Sequence, residues 1–354
     1  MADLESLKQK MIANRYKWGF FWILWASILW GFSYVPQELI FYFEPMSTLY
    51  DLGGMDLIES VMIVSALQAL MFAVVLFLLW SCVNGKPMEV IRNVCHWPVS
   101  KWFLVSAFWG GLMAVFGSYL AVAFIGADFA AAIALLSTVT GAIYGRFLFK
   151  EKMSTKLIIG IIITTVGGVL ICNPEAIIEN MSTPGNEDIW IGYIGGALSA
   201  IGWGVETCYN IRGLDVADTE ATTAVRYFWE MILWFCIVFP IVGALVGFDT
   251  FFGFIGECFG NPAIFGLLVF TSLSLGLADS LLHKGFPLMG AGRALSVNNA
   301  VYVPISLLTL WIFLKDYDIS LWLVAGSFVA ILGTFVMYWE KGEVLDSLRE
   351  VEDD

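Results

Sequence analysis

The stretch Ala200-Ile-Gly-Trp203-Gly-Val-Glu206-Thr-Cys-Tyr-Asn210 decides how the chain is read. It lies within an apolar run of bilayer length and sets a tryptophan and a carboxylate one helical turn apart. A charged side chain at the centre of a bilayer costs about 2.5–3.5 kcal/mol on insertion scales, so it needs a partner or a function. A second copy of the frame stands near the start of the chain, Leu29-Trp30-Gly31-Phe-Ser-Tyr34-Val-Pro-Gln37-Glu38. The two copies are read as facing each other across one substrate site, and the substrate as a small cation.

The surrounding composition sets the class. The 354 residues are 59% hydrophobic and 14% charged, with 15 Trp and 28 Phe, whereas soluble domains are about a quarter charged. Apolar runs recur at 18–43, 58–83, 101–124, 127–148, 155–173, 189–211, 222–247, 263–282, 288–313 and 320–339, and a run of about 20 such residues spans a bilayer as a helix. The expectation is an all-α polytopic membrane protein with ten transmembrane helices and no soluble catalytic domain. The lipid bilayer is one partner, and no nucleic-acid partner is expected. Connections are short except 44–57, 174–188 and 248–262. The six Cys form no metal-binding spacing and there are two His, so no metal or other cofactor is expected. No Gly-x-x-x-x-Gly-Lys-Ser/Thr phosphate loop occurs, and paired catalytic groups are missing, so the chain is not read as an enzyme.

Charge orients the chain. With the N-terminus in the cytoplasm, all but Lys315 of the 18 Lys and Arg fall at or near that face, the positive-inside pattern. The expected location is the plasma (inner) membrane, multi-pass, with both termini cytoplasmic. The outer loops hold mostly carboxylates, among them Glu44, Asp51, Asp56, Asp249 and Glu257. They form a vestibule that concentrates cations, or simply loops without Lys and Arg. The net charge of -13 comes largely from such loops and from the tail 340–354, read as a solvated end.

The chain also repeats itself. Gly126-Ala-Asp128 to Lys150-Glu151 opens one helix pair, and Gly290-Ala-Gly292 to Lys315-Asp316 opens another. Trp30-Gly31 and Trp203-Gly204 mark the first helix of each half. The division is therefore 1–17 cytoplasmic segment, 18–173 first five-helix repeat, 174–188 outer linker, 189–339 second repeat and 340–354 acidic cytoplasmic tail. Five spans per half invert the second half relative to the first, a transporter architecture with its site between the repeats. Gly160, Gly167, Gly168, Gly326 and Gly333 permit close helix packing, and such outer helices allow a homodimer.

At 100° per residue Trp30, Tyr34, Gln37 and Glu38 share one side of the first span, where Pro36 can bend the helix. Trp203, Glu206 and Asn210 share a face of the sixth. Trp18, Trp22, Trp97, Trp102, Trp190 and Trp322 lie near span ends and fit an interfacial belt, which Trp30 and Trp203 do not. Rings and a carboxylate are what an organic cation needs, at about 0.5–2 kcal/mol per ring. The candidate cage is Trp30, Tyr34, Trp203, Trp229 and Tyr302, with Glu206 as counter-charge. Glu206, Glu230 and Asp279 are candidates for proton or ion coupling. Arg226 and Glu230 can pair with each other, or Arg226 can reach headgroups by snorkelling. Asp279 and His283 are spaced for a local hydrogen bond or a proton path. Glu38 is placed near the outer mouth. Asn298, Asn299 and Tyr302 line the cavity or bond helix to helix.

With these motifs the chain resembles the ten-helix, two-repeat drug/metabolite transporter superfamily over residues 18–338. In each half a span ending in a short charged turn, Phe149-Lys-Glu-Lys-Met-Ser154 and Phe313-Leu-Lys-Asp-Tyr-Asp318, precedes a Gly-rich span. The second half is most similar to bacterial choline permeases, through Ile191-Gly, Ala200-Ile-Gly-Trp-Gly-Val-Glu206, Arg226 and Asp279. That resemblance implies an aromatic box with an acidic residue around a trimethylammonium group. It assigns this role to Trp30, Trp203 and Glu206, with Tyr119 as a looser member. Gly111-Leu-Met-Ala-Val-Phe-Gly117 offers no polar side chain to bond a hydroxyl, so betaine, carnitine-like and other amines stay open beside choline. The expected function is secondary transport of a small organic cation, choline or a related quaternary amine. The alternative is an exporter of amino acids or other small metabolites on the same fold. That reading predicts that Trp203 and Glu206 share no pocket with Trp30, and that a substrate carboxylate meets Arg226 or Arg293. A non-transporting receptor or scaffold has little sequence outside the spans to support it.

Overall fold

A computed structural model of the chain describes residues 2–149, 154–171, 188–289, 291–314 and 320–338, without side chains at 2–13, 157, 246, 291–293 and 296. The charged turns 150–152 and 315–316, Gly290, the linker 174–187 and the acidic tail lie outside the described residues, as does the side chain of Arg293.

The described chain is helical, and six of its helices are long and apolar enough to cross a membrane: Asn14–Tyr42, Gly54–Ser81, Trp97–Ile125, Ala127–Phe149, Thr219–Leu245 and Pro262–Met289. Shorter apolar helices run over Ile158–Ile171, Val297–Phe313 and Leu321–Val336. The 26-residue helix Ile189–Leu214 carries Trp203 and Glu206. The surface is apolar where these helices face out. Ile158, Ile159, Ile162, Val166 and Val169 are exposed along one helix, and Leu321, Trp322, Phe328, Leu332 and Phe335 along another. The polar side chains lie inside, with Gln68, Arg226, Glu230 and His283 wholly buried. An apolar exterior around a polar interior is consistent with an all-helical membrane protein, whose solvent is lipid.

Several expected loops are helical. The first helix starts at Ala2 and runs to Leu39, taking in nearly all of the segment 1–17. The reason is local: residues 2–18 contain no Gly or Pro, and most are good helix formers (Ala, Leu, Lys, Arg, Glu, Gln and Met). The segment 44–57 holds the helix Met46–Leu52, and 248–262 holds Phe248–Gly260, with Asp249 in its first turn. Pro87 opens a further helix, Pro87–Cys95. Pro36 sits inside the first helix. One residue on, the Gln37 side chain donates to the Ser33 carbonyl (3.1 Å). π-helical turns interrupt three long helices at 76–81, 108–115 and 234–238.

The helices pack in a reciprocal pattern. The Trp30 helix lies against Pro262–Met289 and Ala291–Phe313. The Trp203 helix lies against Trp97–Ala107, Phe116–Ile125 and Ser137–Phe149. Gly54–Val75 touches Thr219–Leu233 and Pro262–Met289, while Thr219–Leu233 touches Gly54–Val75 and Trp97–Ala107. Thr155–Ile171 pairs with Leu321–Tyr338.

Candidate functional site

The two Trp-Gly pairs build the centre. A Cβ at Gly31 would stand 2.6 Å from Ile305 Cγ2 and 2.8 Å from the Tyr302 carbonyl, so only glycine lets the Trp30 helix close on the helix Ala291–Phe313. A Cβ at Gly204 would collide with Thr140 and stand 2.7 Å from the Ser137 carbonyl, on the helix Ser137–Phe149. Each glycine brings its helix in, and each neighbouring Trp turns into the interior. The Trp30 and Trp203 rings meet edge to face, with centroids 5.1 Å apart at 75°. Tyr302 lies 6.2 Å from Trp30 and stacks on Tyr34 at 6.3 Å. Its hydroxyl donates to the Ala131 carbonyl (2.9 Å), which fixes the ring.

Trp30 and Trp203 both line each of two small cavities. One cavity is polar but uncharged, bounded by Tyr34, Gln37, Gln68, Ser118, Tyr119 and Thr271. The other holds the charge, bounded by Glu206, Asp279, Asn210, Asn298, Asn299 and Tyr302. Each has room for about one or two water-sized groups.

Behind Glu206 stands a buried ion cluster. Arg226 Nε is 2.7 Å from Glu206 Oε1, and its Nη1 pairs with Glu230. Its guanidinium carbon lies 4.1 Å over the Tyr227 ring, and the Tyr227 hydroxyl donates to Asp279 Oδ2 (2.8 Å). Asn210 donates to Glu206 Oε1 at 3.4 Å and accepts from Ser106. One guanidinium thus bridges Glu206 and Glu230, and Tyr227 links it to Asp279. Gly110 and Gly111, in the π-helical turn, make its floor. A Cβ at Gly110 would hit Arg226 and Glu206, and one at Gly111 would come within 2.6 Å of the Glu230 carboxyl carbon.

Of the residues singled out in the sequence, Trp30, Trp203, Tyr302, Glu206 and Asp279 come together around the charged cavity. Tyr34 and Tyr119 line the uncharged one, where the Tyr119 hydroxyl donates to Gln68 Oε1 (3.2 Å). Glu230 lines neither and sits behind Arg226. Trp229 also lines neither: its indole N–H is held by Ser100 Oγ (2.7 Å), which turns the ring away from the cage. Arg226 does not snorkel, because its partners are inside and it is wholly buried. Its bond to Glu230 is joined by the unforeseen pair with Glu206. Asp279 and His283 do not bond each other, since Tyr227 takes the carboxylate and Thr223 Oγ1 lies 2.9 Å from His283 Nδ1. Glu38 is buried, accepting from the Ala127 N–H at 3.0 Å and from Tyr42 at 3.3 Å. Sequence reasoning missed Gln68, Ser118, Thr271 and the Gly110-Gly111 floor. The one signal for Gln68 was an amide inside the apolar run 61–75.

Comparison with known proteins bears on the fold alone. No family model and no curated protein matches the chain. A solved crystal structure, described only as that of a protein, is similar to it over 92% of this chain and 97% of its own, with 16% identity and a TM-score of 0.57.

Proposed function

We propose that the protein is a secondary transporter of a small organic cation, choline or a related quaternary amine, working by alternating access. The observation that carries this reading is the convergence of the Trp30, Trp203 and Tyr302 rings and the Glu206 carboxylate on one cavity. A quaternary nitrogen donates no hydrogen bond. Aromatic faces and one counter-charge replace its water, each ring contributing about 0.5–2 kcal/mol. Amino-acid export fits less well, because it requires Trp203 and Glu206 to share no pocket with Trp30, and all three line one cavity.

In this proposal ten helices cross the plasma membrane as two inverted five-helix repeats, with both termini cytoplasmic, as in the drug/metabolite transporters. The reciprocal packing of the helices supports it, as do the matched roles of Gly31 and Gly204. The Trp30–Trp203 contact is the partition between the two half-sites. A cation arriving at it parts the rings and competes with Arg226 for Glu206, and Glu230 retains the displaced guanidinium. An inside-negative potential drives the cation inward by about 2.3 kcal/mol per charge per 100 mV.

The test is uptake of labelled choline into proteoliposomes. Accumulation that rises with an imposed inside-negative potential, and is abolished in Glu206→Gln, is the expected result. Uptake no faster than in protein-free vesicles rejects the choline assignment.

A further inference from the structure

The helices Thr219–Leu233 and Pro262–Met289 meet through polar side chains in successive layers. At their ends Lys284 Nζ is 3.0 Å from Glu220 Oε1, and Lys86 Nζ, from the turn after Gly54–Ser81, is 3.1 Å from Glu220 Oε2. Lys284 also stands 4.8 Å over the Trp80 ring and 5.3 Å over the Trp22 ring. One layer in, Thr223 Oγ1 is 2.9 Å from His283 Nδ1. In the next, the Tyr227 hydroxyl donates to Asp279 Oδ2 (2.8 Å). Glu220, Thr223 and Tyr227 are three and four residues apart, which puts them on one face of their helix. Asp279 lines the charged cavity. The seam therefore runs from the Glu220 side chain, 27% exposed, to that cavity.

The outer layer is held by ion pairs that water already reaches, and such pairs contribute little net stability. The middle layer holds an orphan. His283 is wholly buried, and its Nε2 has no hydrogen-bond partner among the described residues. Water entering the seam replaces the outer pairs with little loss and supplies that partner. The pair Thr155–Ile171 with Leu321–Tyr338 is built the other way. A Cβ at Gly167 would stand 2.4 Å from the Ala330 N, and one at Gly326 2.4 Å from the Ile171 N, so those two backbones touch.

We propose that this seam is a gate, whose layers part to connect the charged cavity with the face that carries Lys86 and Lys284. The Arg226 guanidinium carbon, 4.1 Å over the Tyr227 ring, ties the innermost layer to Glu206. A cation at Glu206 therefore acts on the gate. That link rests on the function proposed above; the parting of the seam does not.

The chain has two His, and His96 is exposed. Diethyl pyrocarbonate acylates an unprotonated ring nitrogen that solvent reaches, so His283 reports the gate and His96 calibrates the reagent. The experiment is peptide-resolved labelling of the detergent-purified full chain, read as the His283-to-His96 rate ratio. Raising salt from about 0.05 M to about 0.5 M screens the outer ion pairs and should raise the ratio about threefold or more. Glu220→Gln, which releases both lysines, should do the same. Cys258, wholly buried in Phe248–Gly260, should stay equally protected from N-ethylmaleimide, which separates parting of the seam from general unfolding. A ratio that neither salt nor the variant moves overturns the gate, and so does a rise that Cys258 shares. Choline should also shift the ratio. A ratio that answers to salt and to the variant but not to choline leaves the gate standing and overturns its link to a cation.

Discussion

Arg226 is the residue on which the site balances. Its guanidinium is wholly buried between Glu206 and Glu230. Removing one partner from a buried charge network leaves the others uncompensated, at a cost of about 3–5 kcal/mol. Arg226→Leu should therefore lower stability by that amount, read as a fall in thermal midpoint and in yield of folded protein. A midpoint unchanged from wild type would mean that the cluster holds no net charge for Arg226 to neutralise. Glu206→Gln should be milder, because Arg226 keeps Glu230 and the amide keeps its shape. Its expected effect is on cation binding. Gly110→Ala tests the floor beneath them, since the added methyl meets Arg226 and Glu206. Overpacking of this kind costs about 1–3 kcal/mol, and choline affinity should fall with it. The site was partly legible at this scale. Trp30, Trp203 and Glu206 announce themselves by helical spacing, mid-span position and the shared Trp-Gly frame. The Glu206–Arg226 pair does not, because its partners lie on different helices and no local periodicity encodes a contact between helices. Gln68 is silent for the same reason: its partners Tyr119, Ser272 and the Leu268 carbonyl all come from elsewhere in the chain.

At the scale of elements, the Trp30 helix and the Trp203 helix are each set by one glycine. Gly31→Ala and Gly204→Ala should each cost about 1–3 kcal/mol, because the new methyl meets backbone on the facing helix rather than a flexible side-chain end. Paired thermal midpoints for the two variants check this, and a shift in only one would break the equivalence of the two frames. A second inter-element tie lies at the helix ends. Lys86 Nζ is 2.5 Å from Asp218 Oδ2 and 3.1 Å from Glu220 Oε2, and Lys284 Nζ is 3.0 Å from Glu220 Oε1. Burial pushes the Asp218 carboxyl up, but the Lys86 hydrogen bond and the Glu220 backbone N–H outweigh it and hold it below its ordinary value. Hydrogen bonds to Asp218 and Glu220 raise Lys86 above its own. The Asp218 contribution is thus present above the ordinary aspartate pKa and lost as pH falls through the lowered one. The Lys86 contribution is present below the ordinary lysine pKa and lost as pH rises through the raised one. Lys86→Met should cost under about 1 kcal/mol at neutral pH. The gap to wild type should narrow in acid, at high pH and in salt, and a gap constant across all three would show packing at work rather than charge. The sequence was least informative about such element ends. The segments 44–57 and 248–262 look like loops by their carboxylates and glycines, yet each folds into a helix, because burying Met46 and Leu49, and Phe251 and Cys258, outweighs a weak local propensity.

For the whole molecule, the apolar periodicity of the chain conveys its class, and the helices carry that reading as far as an all-helical architecture with six helices of membrane length. The arrangement of those helices was legible only in part. Trp30-Gly31 and Trp203-Gly204 stand out in the sequence, but which helix each glycine closes on is a property of packing. The same holds for the division into two cavities, which depends on two rings from distant parts of the chain meeting 5.1 Å apart. The proposed cycle asks the molecule to break that contact and re-form it around a cation. A thermal-shift titration of the purified protein with choline, betaine, lysine and a neutral amino acid, run on wild type, Trp203→Ala and Glu206→Gln, addresses the cation site most directly. A ligand that binds only the folded state stabilises it by RT ln(1 + [L]/Kd), about 2.7 kcal/mol at a hundredfold excess over Kd. The cation site predicts that choline raises the wild-type midpoint and moves neither variant. A midpoint that choline leaves unmoved, while lysine or the neutral amino acid raises it, contradicts the cation site and makes amino-acid export the better account.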